Sequence, residues 1–105
     1  MNRYVIDGII ADAARGKRVL VAARHPVEVR AAFQLVAEAA HEEPDVRISR
    51  VNGRERIDFY TGSIKFVATT TRGLRGYSAD VVVERGLTTD ELYPLCEIAE
   101  LHVRW

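Results

Sequence analysis

Val19-Leu20-Val21-Ala22 is the stretch that most limits what this chain can become. Four successive apolar residues without polar alternation suit a strand buried on both faces, as in a parallel sheet. The sequence on either side supplies helices to cover it. Upstream, Tyr4 to Ala14 places Val5, Ile6, Ile9, Ile10 and Ala13 on one stripe of helical spacing. Gly16 is placed as the helix stop, and Lys17-Arg18 suit the negative end of its dipole. Downstream, Arg24-His25-Pro26 breaks the strand, and Pro26 fits the first position of a second helix. That helix runs to about Ala40, with Val29, Phe33, Val36 and Ala40 on one side and Pro44 as the breaker beyond it.

The next third of the chain changes period. Val46 to Val51 reads as a strand, followed by Asn52-Gly53, the strongest turn signal in the sequence. Arg56 to Tyr60 and Ser63 to Ala68 both alternate. A two-residue turn at Thr61-Gly62 predicts Phe59 opposite Ile64 and Ile57 opposite Phe66, with Asp58 facing Lys65 on the other side. A second apolar strand, Val81 to Val83, ends in charge at Glu84-Arg85. Thr88 and Glu91 then have capping-box spacing. Pro94 either kinks the helix that follows or begins it. Leu92, Leu95, Cys96, Ala99 and Val103 form its apolar stripe; Ile98, Leu101 and Trp105 widen it, and only Glu97, Glu100 and Arg104 make a polar side. The order predicts an α/β fold: a small, mainly parallel sheet flanked by helices, with an antiparallel hairpin.

A chain of 105 residues is one domain, and 48% hydrophobic residues are enough for a core. It contains no apolar run near membrane-spanning length and no signal-peptide pattern, so a soluble, cytoplasmic protein without membrane contact is expected. The single cysteine, Cys96, leaves no internal disulfide or cysteine-based zinc site. Net charge is zero, which argues against tight nucleic-acid binding by the whole surface. The distribution is uneven. Arg47, Arg50, Arg54, Arg56, Lys65, Arg72 and Arg75 face only Glu55 and Asp58 across the hairpin and the loop after it.

Residues 62–86 read GSIKFVATTTRGLRGYSADVVVERG. This stretch resembles the segment leading into the Walker B strand of P-loop ATPases, most closely that of phage terminase large subunits. Gly16-Lys17-Arg18-Val19-Leu20-Val21 is similar to that family's second strand. Arg54-Glu55-Arg56-Ile57 followed by Gly62-Ser63-Ile64-Lys65-Phe66 is similar to its hairpin. The resemblance implies a truncated P-loop NTPase-like (RecA-like) domain, phage-encoded and working in the host cytoplasm. The family's phosphate-binding loop stands before the first helix, where this sequence has Met1-Asn2-Arg3. Its Walker B strand closes on Asp-Glu, where this sequence has Glu84-Arg85. Glu84 would take the first acidic position, and Arg85 can neither support magnesium nor orient water. No catalytic residue, metal or cofactor is therefore expected.

Two sets of residues remain as candidates. The seven cations from Arg47 to Arg75 make either a solvated hairpin or a patch for weak nucleic-acid binding. Val81, Val82 and Val83 are expected to form an unpaired edge, because the parent fold's phosphate-loop strand is absent. With Ile98, Leu101 and Trp105 on the last helix, they suggest a homo-oligomer, a dimer in the first instance. His25, His41 and His102 lack the mutual spacing of a metal site, Ser78 lacks a nucleophile-elbow context, and Cys96 reads as core. The favoured expectation is a non-catalytic binding or assembly module that engages a protein partner. The alternatives are a nucleic-acid-binding accessory protein and one half of a composite ATPase.

Overall fold

The computed structural model describes residues 1–51, 54–69, 78–92 and 101–105. In chain order these form α1 (Arg3–Ala14), β1 (Arg18–Ala23), α2 (Pro26–Ala40), β2 (Arg47–Ser49), β3 (Arg56–Asp58), β4 (Ser63–Ala68), β5 (Val81–Arg85), a single turn α3 (Thr89–Leu92) and β6 (Leu101–Arg104). The six strands make one sheet in the order β2-β3-β4-β1-β5-β6. β4, β1, β5 and β6 are mutually parallel, and β3 and β2 continue the sheet antiparallel. The protein is thus α/β, with a mixed sheet flanked by helices.

β1 is the centre, as its unbroken apolar run requires. It pairs with β4 on one side (Val19 with Ile64, Val21 with Phe66) and with β5 on the other (Val19 with Val81, Val21 with Val83). Both long helices cover one face of the sheet. Ile6, Ile9, Ile10 and Ala13 of α1 and Val29, Phe33, Val36 and Ala40 of α2 pack against Val19, Val21, Ile57, Ile64, Phe66, Val81 and Val83. Phe33 and Phe66 meet edge to face, with centroids 5.2 Å apart. The opposite face holds a smaller cluster of Leu20, Ala22, Val67 and Val82 beneath Ala79 and Leu87.

The helix ends follow local chemistry. Asn2 caps α1, its Oδ1 accepting from the Val5 N–H at 3.0 Å. Gly16, at φ 97°, closes it in the left-handed region. Pro26 opens α2 with His25 at the cap position.

Three expectations are corrected. The β3–β4 hairpin pairs Ile57 with Ile64, Arg56 with Lys65 and Asp58 with Ser63. Its turn is therefore Tyr60-Thr61, one residue earlier than predicted, and the Phe59 N–H donates to the Gly62 carbonyl at 2.8 Å. Gly62 belongs to packing rather than to the turn: a Cβ there would collide with the Ala13 carbonyl oxygen and lie 2.7 Å from that of Lys17. The register moves by two residues, so Ile57, Ile64 and Phe66 still share the buried face.

The second correction is at the C-terminus. Residues 101–104 are not the end of a helix; they form β6, parallel to β5, with Val81 paired to Leu101 and Val83 to Val103. The third follows from it. Val81, Val82 and Val83 are not an unpaired edge, because β1 lies on one side and β6 on the other. All three are buried within the chain. Trp105 is half-buried against the same core and its N–H donates to the Glu84 carbonyl, so it does not project from an exposed helical stripe. The edge from which self-association was expected is therefore covered within the chain by β6. Ile98 and Asn52-Gly53, the expected turn, lie outside the described residues; the Arg54 N–H donates to the Val51 carbonyl at 2.8 Å. Among the described residues no helix is long and apolar enough to cross a membrane.

Candidate functional site

Open α/β sheets hold ligands at the carboxyl ends of their strands, where neighbouring connections leave in opposite directions. In this sheet that point lies between β1 and β5. The chain leaves β1 for α2 on one face, and leaves β5 through Leu87, which packs on the other. The crevice is spanned by charge. Arg24, one residue past β1, donates to both Glu91 oxygens at 2.7 and 3.2 Å and to the Gly86 carbonyl at 3.0 Å. Glu91 also accepts from the Thr88 N–H and hydroxyl, and its own N–H returns to Thr88 Oγ1, which completes the predicted capping box. The Arg24 hydrogen bond, then Thr88, pulls the Glu91 carboxyl down to about 2. Arg85 reaches back to Glu28 of α2 at 3.0 Å. Two arginine–glutamate bridges thus lie at the carboxyl ends of β1 and β5.

One residue before Arg85, Glu84 is fully buried, 0% exposed. A bare carboxylate there would be costly, and its oxygens are accordingly occupied. Oε1 accepts from Arg104 Nε at 2.7 Å and lies 3.3 Å from His102 Nε2; Oε2 accepts from the Leu87 N–H at 2.7 Å. His102 and Arg104 alternate with Leu101 and Val103 along β6, so the strand brings both polar side chains to one side of the sheet. The sequence alone placed Arg104 on the polar side of a helix, with Glu97 and Glu100.

The basic candidates separate. Arg47, Arg56 and Lys65 share the sheet face opposite α1 and α2, because Arg47 pairs with Asp58 on β3 and Arg56 pairs with Lys65 on β4. Arg54 is close enough to act on Lys65: burial first, then Arg56 and Arg54, lower the Lys65 ammonium below its ordinary value. Arg50 stands on the helical side, its guanidinium 5.7 Å from the centre of the Phe33 ring. Arg72 and Arg75 lie outside the described residues. Among those described, no group of three His, Cys, Asp or Glu side chains is placed to hold a metal ion. No family model, curated protein or solved structure matches the chain.

Proposed function

We propose that this chain is a non-catalytic binding or assembly module built on a terminase-like P-loop architecture, engaging a protein partner. Glu84 carries the first part of that reading. An acid that supports magnesium in an ATPase must offer free oxygens at the end of its strand. The Glu84 oxygens are taken by Arg104, His102 and Leu87, and the next residue, Arg85, is tied to Glu28. Freeing the carboxylate would break its side-chain contacts with Arg104 and His102 of β6. The Arg24–Glu91 bridge likewise spans the crevice where a small ligand would enter, so binding falls to the outer surface. There Tyr4 on α1 and Val27 and Leu35 on α2 expose large apolar side chains that a protein partner can cover. Titration calorimetry with ATP and magnesium tests the reading. No heat of binding is expected, and micromolar affinity would overturn it.

A second reading, a nucleic-acid-binding accessory protein, is favoured by one observation. Arg47, Arg56 and Lys65 gather on one sheet face, with Arg54 acting on Lys65, whereas Asp58 is the one acid in the paired stretches of β2 and β3. Salt-dependent binding of an oligonucleotide tests it.

A further inference from the structure

We propose that Tyr60 and Arg47, with Arg56, Lys65 and Arg54 behind them, form a seat for single-stranded nucleic acid; this deepens the second reading above and rests on it. Tyr60 is at the tip of the β3–β4 hairpin and is 88% exposed. It shares a groove of about 540 Å³ with Asp45, Val46, Arg47, Asp58 and Phe59. That volume is within the usual range for a small-ligand pocket and is ample for one nucleobase.

The cations follow from the groove along the sheet. Arg47 opens it, and the next basic pair, Arg56 and Lys65, stands directly cross-strand. Asp58 Oδ1 accepts from both Nε and Nη2 of Arg56, at 3.1 and 2.8 Å. Phosphates passing along this face would meet Arg47, Arg56 and Lys65 together.

The acids fix the orientation. Asp45 is exposed at the groove and repels phosphate, so the backbone must pass on the Arg47 side, with the base turned toward Tyr60. A carboxylate there suits the amino group of a base edge. Duplexes keep their base faces stacked and cannot offer one to Tyr60, whereas a single strand can. A cationic face beside an exposed ring is the combination that single-strand binders use, and each stacked base contributes about 1–3 kcal/mol, or roughly 5- to 150-fold in affinity.

Fluorescence anisotropy with a labelled thymidine single strand and with its matching duplex, at about 50 and 200 mM salt, tests the seat. The single strand should bind more tightly than the duplex. Tyr60→Ala should weaken it about tenfold or more, and Tyr60→Phe should retain most of the affinity. Arg47→Gln combined with Lys65→Gln should flatten the salt dependence by about 0.7 for each phosphate no longer neutralised. Binding that is indifferent to Tyr60→Ala, or as tight for the duplex as for the single strand, overturns the seat and leaves the nucleic-acid reading standing. No binding of either at low salt overturns both. Tyr60 is a turn residue in solvent, so the thermal midpoint of Tyr60→Ala should match the parent and exclude misfolding as the cause.

Discussion

Glu84 and Arg104 occupy paired positions on neighbouring parallel strands, and the 2.7 Å contact between them joins a fully buried carboxylate to a guanidinium whose side chain is 73% exposed. The arginine acts as a lid on the acid from the solvent side. Arg104→Ala should leave Glu84 with only His102 and the Leu87 N–H. Removing one partner of a buried pair usually costs about 3–5 kcal/mol. Because Arg104 is largely in water, roughly 2 kcal/mol is expected here. Urea denaturation measures it, and a change within error would mean that the lid contributes nothing.

Two glycines should respond oppositely to the same change. Gly62→Ala drives a Cβ into the Ala13 carbonyl, and backbone cannot yield as a flexible side chain would, so a loss of about 3 kcal/mol or more is expected. Gly8 lies in the exposed middle of α1, and a methyl group added to it would meet nothing within 4 Å. Gly8→Ala should stabilise by roughly 0.5–1 kcal/mol through helix propensity. Thermal or urea unfolding of the two variants side by side decides both signs.

The Arg24–Glu91 bridge predicts an acid-sensitive crevice. Glu91 is held at about 2, below its unfolded value of 4.5. A depressed carboxyl stabilises the fold fully above its unfolded pKa and loses that contribution as pH falls through the folded one. The turn from Gly86 to Leu92 should therefore loosen between pH about 4.5 and 2. Glu91→Gln should lose that part of the acid dependence, as followed by amide exchange of the Thr88 N–H.

Arg50 separates packing from ligand chemistry. Its guanidinium is directed at Phe33 on the helical side, so Arg50→Ala should cost about 0.5–1 kcal/mol of stability and leave any oligonucleotide binding unchanged. An equal loss of binding from Arg50→Ala and Lys65→Ala would mean that charge, not the sheet face, governs the interaction.

The sequence was readable where a local rule decides. Asn2 and Val5, Gly16, Pro26, and the pair Thr88 and Glu91 each act within a few residues, and the central strand announced itself by having no polar side. What was not readable depends on distant partners. Thr61-Gly62 looks like a turn until the end of α1 is seen to need Gly62 bare. Leu101-His102-Val103-Arg104 fits a strand by alternation, yet Leu92, Leu95, Cys96, Ala99 and Val103 fit a helical stripe equally well. The tie is broken by the free side of β5 and by a buried glutamate that needs a cation. Neither can be found within one window of the chain. Tyr60 was missed for a similar reason: its exposure, and its place beside Arg47, exist only once the two hairpins are paired.

β1 sets the tempo of folding. Its two neighbours are both far along the chain, Arg18 meeting Ser63 on one side and Val19 meeting Val81 on the other. Only α1 and α2 can shield it by local contacts before those partners arrive. Loop closure must therefore be achieved twice before the most apolar strand is paired, which places the protein among the slower folders for its size. Until then Val19 to Ala22 presents two bare edges, and in a growing or refolding chain that interval is the one open to aggregation.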